Sequence, residues 1–465
     1  MVGTTLTFLG GALSVTGSKF LLETDQQRIL IDCGLFQGEK KLRLLNWEPL
    51  HVDPASIDCV LLTHAHLDHC GYLPRLVRDG FAGPIWATDG TIALAEIVLR
   101  DSAHIQESDA RDAAQGGYSR HDSPQPLYTT ADAETAISLL KFIDFDTDLE
   151  LPGGVIARFT RAAHILGSAS IHVTTPTGDV LFSGDLGRRD HPVLRPRETP
   201  PSASVVLIES TYGDREHREW EDCPHEELAD AIRRTISRGG RVLIPSFAVD
   251  RTEILLKTLA EMKEEDRIPD VPIFVDSPMG VQALRVYQSE EQRDELLTDL
   301  QGRDFTHLGD VHEVLTLDES VKLQSSTEPA IIISSSGMAT AGRVVHHLER
   351  ILPSGLNTIV FTGYQAKGTR GHSLITGAKH IKMFGSQVPV RAEVLLDDGF
   401  SVHADGSDLI DWLADLSPKP QSVYCVHGEA GAEVLAERIR TELNIDTYVP
   451  ALGTTIELPH PLFSS

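Results

Sequence analysis

His64-Ala65-His66-Leu67-Asp68-His69 places three imidazoles and one carboxylate within six residues. That density restricts the chain to folds that can aim several polar side chains at one point. Imidazole nitrogen and carboxylate oxygen are the ligands that borderline cations such as Zn²⁺ prefer. The preceding Cys59-Val60-Leu61-Leu62-Thr63 is a short apolar, partly β-branched run and reads as a buried strand. The six residues therefore fall in the loop past a strand end. His64 and His66, two apart in an extended segment, can face the same way there, while Asp68 and His69 follow the turn and serve a second centre. Single surface histidines are common, but four ligand-type residues in this spacing are not.

At 465 residues the chain is too long for one compact core, so two domains are expected. The five cysteines (33, 59, 70, 223 and 425) form no CxxC pair and are odd in number, which reads as reduced thiols in a cytoplasmic protein. No signal peptide and no apolar stretch of membrane-spanning length is apparent, so no membrane partner is expected. The formal net charge of −27 argues against a polyanionic partner held by general attraction. Bound dications and a few arginines can still make a local phosphate site on an acidic body.

The pattern along the chain changes style twice. Strand-like segments at Thr4 to Leu9, Lys19 to Glu23 and Arg28 to Ile31 are followed by a helical spacing from Asp89 to Ala114, with Asp89 as N-cap. Strands return at 155–160, 171–174, 179–182 and 205–208. Helices at 225–238 and 250–263 then flank a strand at Arg241 to Ile244, and 271–275 and 330–335 read as further buried strands. This alternation signals a parallel sheet with crossover helices. The first style resumes at Val390 to Leu396, Ser422 to Val426 and Thr454 to Leu458. A β-rich part, an α/β insert and a return give boundaries at 1–210, 211–385 and 386–465.

Two metal centres need more ligands than the six-residue motif holds. Asp32, His164, Asp185 and His427 each stand at or just past the end of an apolar strand-like run. A lone histidine there is usually a hydrogen-bonded structural residue; the shared placement of all four favours metal. His104, His121, His191, His346 and His347 have no such placement and read as structural or surface residues.

With these residues in place the chain resembles the metallo-β-lactamase fold, and more narrowly its β-CASP group of nucleic-acid hydrolases. Further motifs carry the resemblance: Gly10-Gly11-Ala12-Leu13-Ser14-Val15-Thr16-Gly17-Ser18, Glu209-Ser210-Thr211-Tyr212-Gly213, Asp276-Ser277-Pro278-Met279, Ser336-Gly337-Met338 through Gly342-Arg343, Gly363-Tyr364 through Thr369-Arg370-Gly371, Ser401-Val402-His403-Ala404-Asp405 and Val426-His427-Gly428. The resemblance implies an α/β fold: a metallo-β-lactamase αββα sandwich with an inserted β-CASP domain of mainly parallel sheet. It implies two Zn²⁺ per chain, one on His64, His66 and His164 and the other on Asp68, His69 and His427, with Asp185 bridging. Asp68 and Asp185 are then catalytic as well as metal-holding. Asp32 supports the site by orienting a ligand, and Glu209 fixes and protonates His403, the general acid for the leaving 3′ oxygen. The implied reaction is hydrolysis of single-stranded RNA by a two-metal-activated water, endonucleolytic with exonuclease activity open to it, and a homodimer is equally open.

In the insert, Gly368-Thr369-Arg370-Gly371 combines backbone N–H groups with a guanidinium suited to phosphate. Arg343, Thr369, Arg370 and Ser401 are accordingly expected to contact substrate. Ser246 and Asp250 depart from the small residues of the related motif, which predicts an altered cleft lining. Two other readings stay open, a hydrolase of DNA or of a small phosphodiester or ester, and an RNA-processing scaffold without activity.

Overall fold

The computed structural model describes residues 3–116, 123–217, 224–302 and 310–459. His121 and Cys223 lie outside the described residues. The chain divides into two compact units. The first comprises residues 1–37, 41–216 and 402–465, and the second residues 38–40 and 217–401.

The first unit holds two seven-stranded sheets. One runs in the order Thr455–Glu457, Thr5–Phe8, Phe20–Glu23, Arg28–Ile31, Cys59–Leu61, Ile85–Ala87 and Leu140–Phe142. The other runs Asp446–Tyr448, Ser422–Val426, Val205–Glu209, Gly178–Phe182, Ala169–Thr175, Val155–Arg161 and Asp148–Leu151. Phe8, Phe20 and Leu61 of the first sheet share one buried core with Phe159, Phe182 and Leu207 of the second. The opposite face of the second sheet, through Leu181, Val206 and Val423, packs on helices Gly406–Ala414 and Ala430–Arg438. Helices Leu73–Arg78, Asp89–Gly116 and Thr130–Ser138 pack together, and the long one runs against strand Leu140–Phe142. The outcome is the expected αββα sandwich.

The second unit is built on a six-stranded sheet in the order Val311–Glu313, Ile273–Val275, Ile331–Ser334, Val242–Pro245, Thr358–Phe361 and Glu393–Leu396. Every pairing in it is parallel. Ile331-Ile332-Ile333 is fully buried in its middle, as a strand covered on both faces must be. Ser277 caps the helix Pro278–Tyr287 by accepting from the Gly280 N–H at 3.0 Å.

Two expectations need correction. Thr88, not Asp89, takes the cap position: its hydroxyl accepts from the Thr91 N–H at 3.4 Å, and Asp89 is the first helical residue. The strand read at Val390 to Leu396 begins at Glu393 and pairs in parallel with Thr358–Phe361. It therefore belongs to the second unit, and the return to the first comes at Val402, not at 386. Its sequence style showed a strand but could not show its partner. Among the described residues no helix is long and apolar enough to cross a membrane.

Candidate metal centre

The strands of the first unit end where the chemistry collects. Asp32 follows Arg28–Ile31, His64 follows Cys59–Leu61, His164 follows Val155–Arg161, Asp185 follows Gly178–Phe182, and His427 follows Ser422–Val426. Parallel neighbours put such carboxyl-terminal ends on one edge, the usual ligand-binding edge of α/β sheets. The backbone then knits the loops together. Cys33 N–H donates to the His69 carbonyl at 2.7 Å, Ser18 N–H to that of Asp68 at 2.9 Å, and His427 N–H to that of Gly11 at 2.6 Å. Asp32 and His427 hold left-handed φ angles of 57° and 50°, a cost of about 1–3 kcal/mol each that the surrounding structure must enforce.

Two donor groups result. His64, His66, His164 and Asp185 offer ligand atoms within 4.8 Å of one another, and so do Asp68, His69 and His427. In the first, His64 Nε2 and His164 Nε2 each lie 3.2 Å from His66 Nδ1 and 3.6 Å from Asp185 Oδ2. In the second, His427 Nε2 is 3.7 Å from Asp68 Oδ2 and 3.7 Å from Asp185 Oδ2, while His69 Nε2 is 3.2 Å from Asp185 Oδ1. Asp185 thus faces both groups.

These separations fit a metal. Four ligands on arms of about 2.0–2.1 Å define a tetrahedron with edges of about 3.3–3.4 Å, close to the donor spacings of the first group. His69 Nε2 and Asp185 Oδ1 are buried without a hydrogen bond, and orphaned buried polar atoms are costly unless something else satisfies them. Burial holds His64 and His164 well below the ordinary imidazole range and lowers His66. They are therefore neutral, the form that donates a lone pair to a cation. Burial also pulls His69 down, but the charges of Asp185 and Asp32 win and hold it well above that range.

A supporting ring fixes which nitrogen each imidazole presents. Thr63 Oγ1 lies 3.0 Å from His64 Nδ1, Asp32 Oδ2 2.7 Å from His69 Nδ1, and Ser18 Oγ 2.9 Å from His427 Nδ1. Each bond turns the opposite nitrogen, Nε2, toward the donor group. Asp32 is held in turn by the Thr63 N–H and hydroxyl at 2.8 and 3.0 Å. Sequence reasoning missed Ser18 and Thr63, although Ser18 closes a quoted motif and Thr63 immediately precedes His64.

His403 joins by backbone pairing. Ala404 N–H donates to Leu186 O at 2.7 Å and Arg188 N–H to Val402 O at 2.8 Å, which seats the 402–404 segment against the residues following Asp185. The His403 ring centroid lies 4.4 Å from that of His164, and Nδ1 is 3.2 Å from Glu209 Oε1. Glu209 is fully buried and also accepts from Leu186 N–H at 2.8 Å. Burial lowers His403, but the charge and hydrogen bond of Glu209, joined by the charges of Asp185 and Asp68, together outweigh it and hold the ring above its ordinary range.

The residues expected to contact substrate are engaged within the second unit. Arg343 donates to Asp276 Oδ1 at 2.7 Å and to the Val314 and Leu315 carbonyls at 2.9 Å each. Arg370 donates to the carbonyls of Ala339 and Thr340 at 3.2 and 2.7 Å. Thr369 caps its helix through the His372 N–H, and Ser401 is buried. Local sequence shows guanidinium and glycine but not the carbonyls that occupy the guanidinium. Ser246 and Asp250 are buried as well, Asp250 accepting from the Tyr287 hydroxyl at 2.9 Å, so neither side chain is placed to line an open cleft. His191 accepts from two backbone N–H groups, His347 bonds Asp276, and His104 is exposed, in keeping with structural or surface roles.

Residues 16–246 match the metallo-beta-lactamase superfamily, residues 252–374 the Beta-Casp domain, and residues 387–450 the Zn-dependent metallo-hydrolase RNA specificity domain. The chain is 37% identical over 426 residues to Ribonuclease TTHA0252 of Thermus thermophilus, covering 90% of this chain and 92% of that protein. It is 30% identical to an RNase J-like protein of Methanocaldococcus jannaschii, covering 97% and 99% of the two chains. Transcription termination factor FttA of the same organism is also 30% identical, covering 96% of this chain and 70% of that protein. A crystal structure of a protein of unknown function from Enterococcus faecalis shares the fold, with a TM-score of 0.56 at 14% identity over 98% of this chain and 100% of that one.

Proposed function

The chain belongs to the β-CASP ribonuclease family of the metallo-β-lactamase superfamily, and from that membership we propose that it is a zinc-dependent ribonuclease acting on single-stranded RNA. Internal cleavage is its principal mode, with exonucleolytic trimming as a second. One observation carries the reading: seven histidine and aspartate side chains converge as two donor groups that both face Asp185.

His64, His66 and His164 would hold one zinc, Asp68, His69 and His427 the other, and Asp185 both. When bound, the ions supply Lewis acidity that activates the attacking water and offsets charge on the phosphate. The chain's own residues do the rest. Thr63, Asp32 and Ser18 hold three imidazoles in one orientation. Glu209 keeps His403 protonated through Nδ1, which leaves the other ring nitrogen to donate a proton to the departing 3′ oxygen. A positioned general acid of this kind contributes roughly 10²–10⁴-fold.

The test is incubation of end-labelled single-stranded RNA with the protein, its zinc content measured in parallel. Internal fragments should appear first, Asp68→Ala and His403→Ala should lose cleavage, and a chelator should abolish it. A protein that binds about two zinc ions and leaves RNA intact overturns the reading.

A further inference from the structure

Between Glu349 and Glu393 the chain contains no aspartate or glutamate, yet it carries six basic residues, Arg350, Lys367, Arg370, Lys379, Lys382 and Arg391. In a protein of net charge −27 this is a local reversal of sign. Much of it is displayed on an antiparallel hairpin, His380–Met383 with Ser386–Pro389, whose register pairs Lys382 with Gln387. Ile381 and Met383 point into the core of the second unit. Strand alternation turns His380 and Lys382 outward, and Lys379 and Arg391 at the hairpin's base are exposed too. Among the described residues, Lys379, Lys382 and Arg391 take part in no ion pair, whereas Arg233, Arg234, Arg238 and Arg267 of the same unit all pair with carboxylates.

The hairpin tip adds an aromatic platform. Phe384 and Gly385 occupy the two central turn positions, with φ of 47° and 80°. A two-residue turn with positive φ at both positions strongly prefers Asn-Gly or Asp-Gly, and a bulky residue there is strained. Phe384 is nevertheless 56% exposed. Its ring stacks on exposed His346 of helix Arg343–Ile351, with centroids 4.7 Å apart and planes 22° apart. Glu349 is the one carboxylate on that helix. Neither hydrophobic burial nor turn chemistry explains a strained, exposed phenylalanine. Strain maintained without a folding gain points to a function.

We propose that the Phe384–His346 ring pair, at the tip of a hairpin that carries Lys382 and has Lys379 and Arg391 at its base, is a stacking platform for a nucleobase of single-stranded RNA. Unpaired bases stack on aromatic and histidine rings, while cations beside the stack meet the adjoining phosphates. Arg370 serves this surface indirectly. Its guanidinium joins the Ala339 and Thr340 carbonyls and reaches the Lys382 carbonyl at 3.4 Å, which ties the hairpin to the body of the unit. This inference rests on the ribonuclease reading and adds a contact that the metal-centre residues do not supply.

The experiment measures affinity for a dye-labelled single-stranded RNA by fluorescence anisotropy, using zinc-loaded protein made cleavage-dead by His403→Ala. Phe384→Asn places a preferred residue in the turn, so the variant should melt no lower than its parent. Its affinity should fall by about 5- to 100-fold, the range for losing one base–aromatic stack. Lys379→Gln with Lys382→Gln should flatten the dependence of log affinity on log salt by about 0.7 per lysine. Unchanged RNA affinity in Phe384→Asn overturns the platform, as does a change in oligomeric state with RNA affinity intact, which would make this face a protein contact. Failure of the ribonuclease reading looks different: zinc-loaded wild type leaves RNA uncleaved, whatever Phe384→Asn does.

Discussion

His403 Nδ1 lies 3.2 Å from Glu209 Oε1, although 194 residues separate the two in sequence. Glu209 is fully buried and keeps its carboxylate turned to this imidazole by accepting a second bond from Leu186 N–H. A fully buried charge is a strong lever on a ring that is only 20% exposed, because little water screens it.

Glu209→Gln removes that charge and preserves the shape. With the Glu209 charge gone, burial is opposed only by the charges of Asp185 and Asp68, so His403 loses its proton at lower pH. Activity that needs the protonated ring survives below its pKa and is lost as pH rises through it. The alkaline limb of the pH–rate profile for RNA cleavage should therefore move to lower pH in Glu209→Gln. A limb that stays in place excludes His403 as the proton donor.

Ser18→Ala should weaken zinc at the Asp68–His69–His427 group while leaving the His64–His66–His164 group loaded. The hydroxyl lies 2.9 Å from His427 Nδ1 and sets which nitrogen faces the donor group. Loss of such an outer partner typically costs about 10- to 100-fold in metal affinity. Competitive zinc titration should resolve one weakened site out of two, and uniform weakening of both would count against the assignment.

Gly34→Ala tests how tightly the metal-binding turn is packed. A Cβ at Gly34 would lie 1.6 Å from the Asp68 carbonyl oxygen and 2.7 Å from His69 N. Both are backbone atoms and cannot rotate away. The expected cost is about 3 kcal/mol, the upper end of ordinary overpacking, together with loss of zinc at the second group. Chemical denaturation and metal analysis check the two parts separately.

Arg343→Ala should behave as a stability mutation. Its guanidinium bridges Asp276 to the carbonyls of Val314 and Leu315, and hydrogen bonds to charged groups are each worth about 1.5–3 kcal/mol. A loss of at least about 2 kcal/mol, the value of one such bond, with unchanged KM for RNA is expected. A raised KM at unchanged stability would restore the phosphate contact that the sequence suggested.

Much of the site could be read in the chain because metal ligands follow strand ends, and strand ends are visible as apolar runs closed by a polar residue. Asp32, His164, Asp185 and His427 were found in this way. Thr63 and Ser18 were passed over, because a hydroxyl's partner is set by the fold and leaves no spacing in the sequence. The protein partners of the insert's arginines were hidden for the same reason. Composition advertises a guanidinium but not the Asp276 carboxylate and the Ala339, Thr340, Val314 and Leu315 carbonyls that engage the two of them.

The sequence by itself determined the donor types, their order along the chain, and the family to which those motifs belong. Ligand chemistry and strand periodicity are local properties, so they survive in one dimension. Tertiary structure decided which donors share an edge, that Asp185 faces both groups, and that the 402–404 segment pairs beside residues 186–188 to bring His403 to Glu209. It also decided that Phe384 stands exposed on His346 instead of sinking into a core. These are facts about long-range pairing, where strand register and backbone hydrogen bonds over hundreds of residues set the distance between atoms.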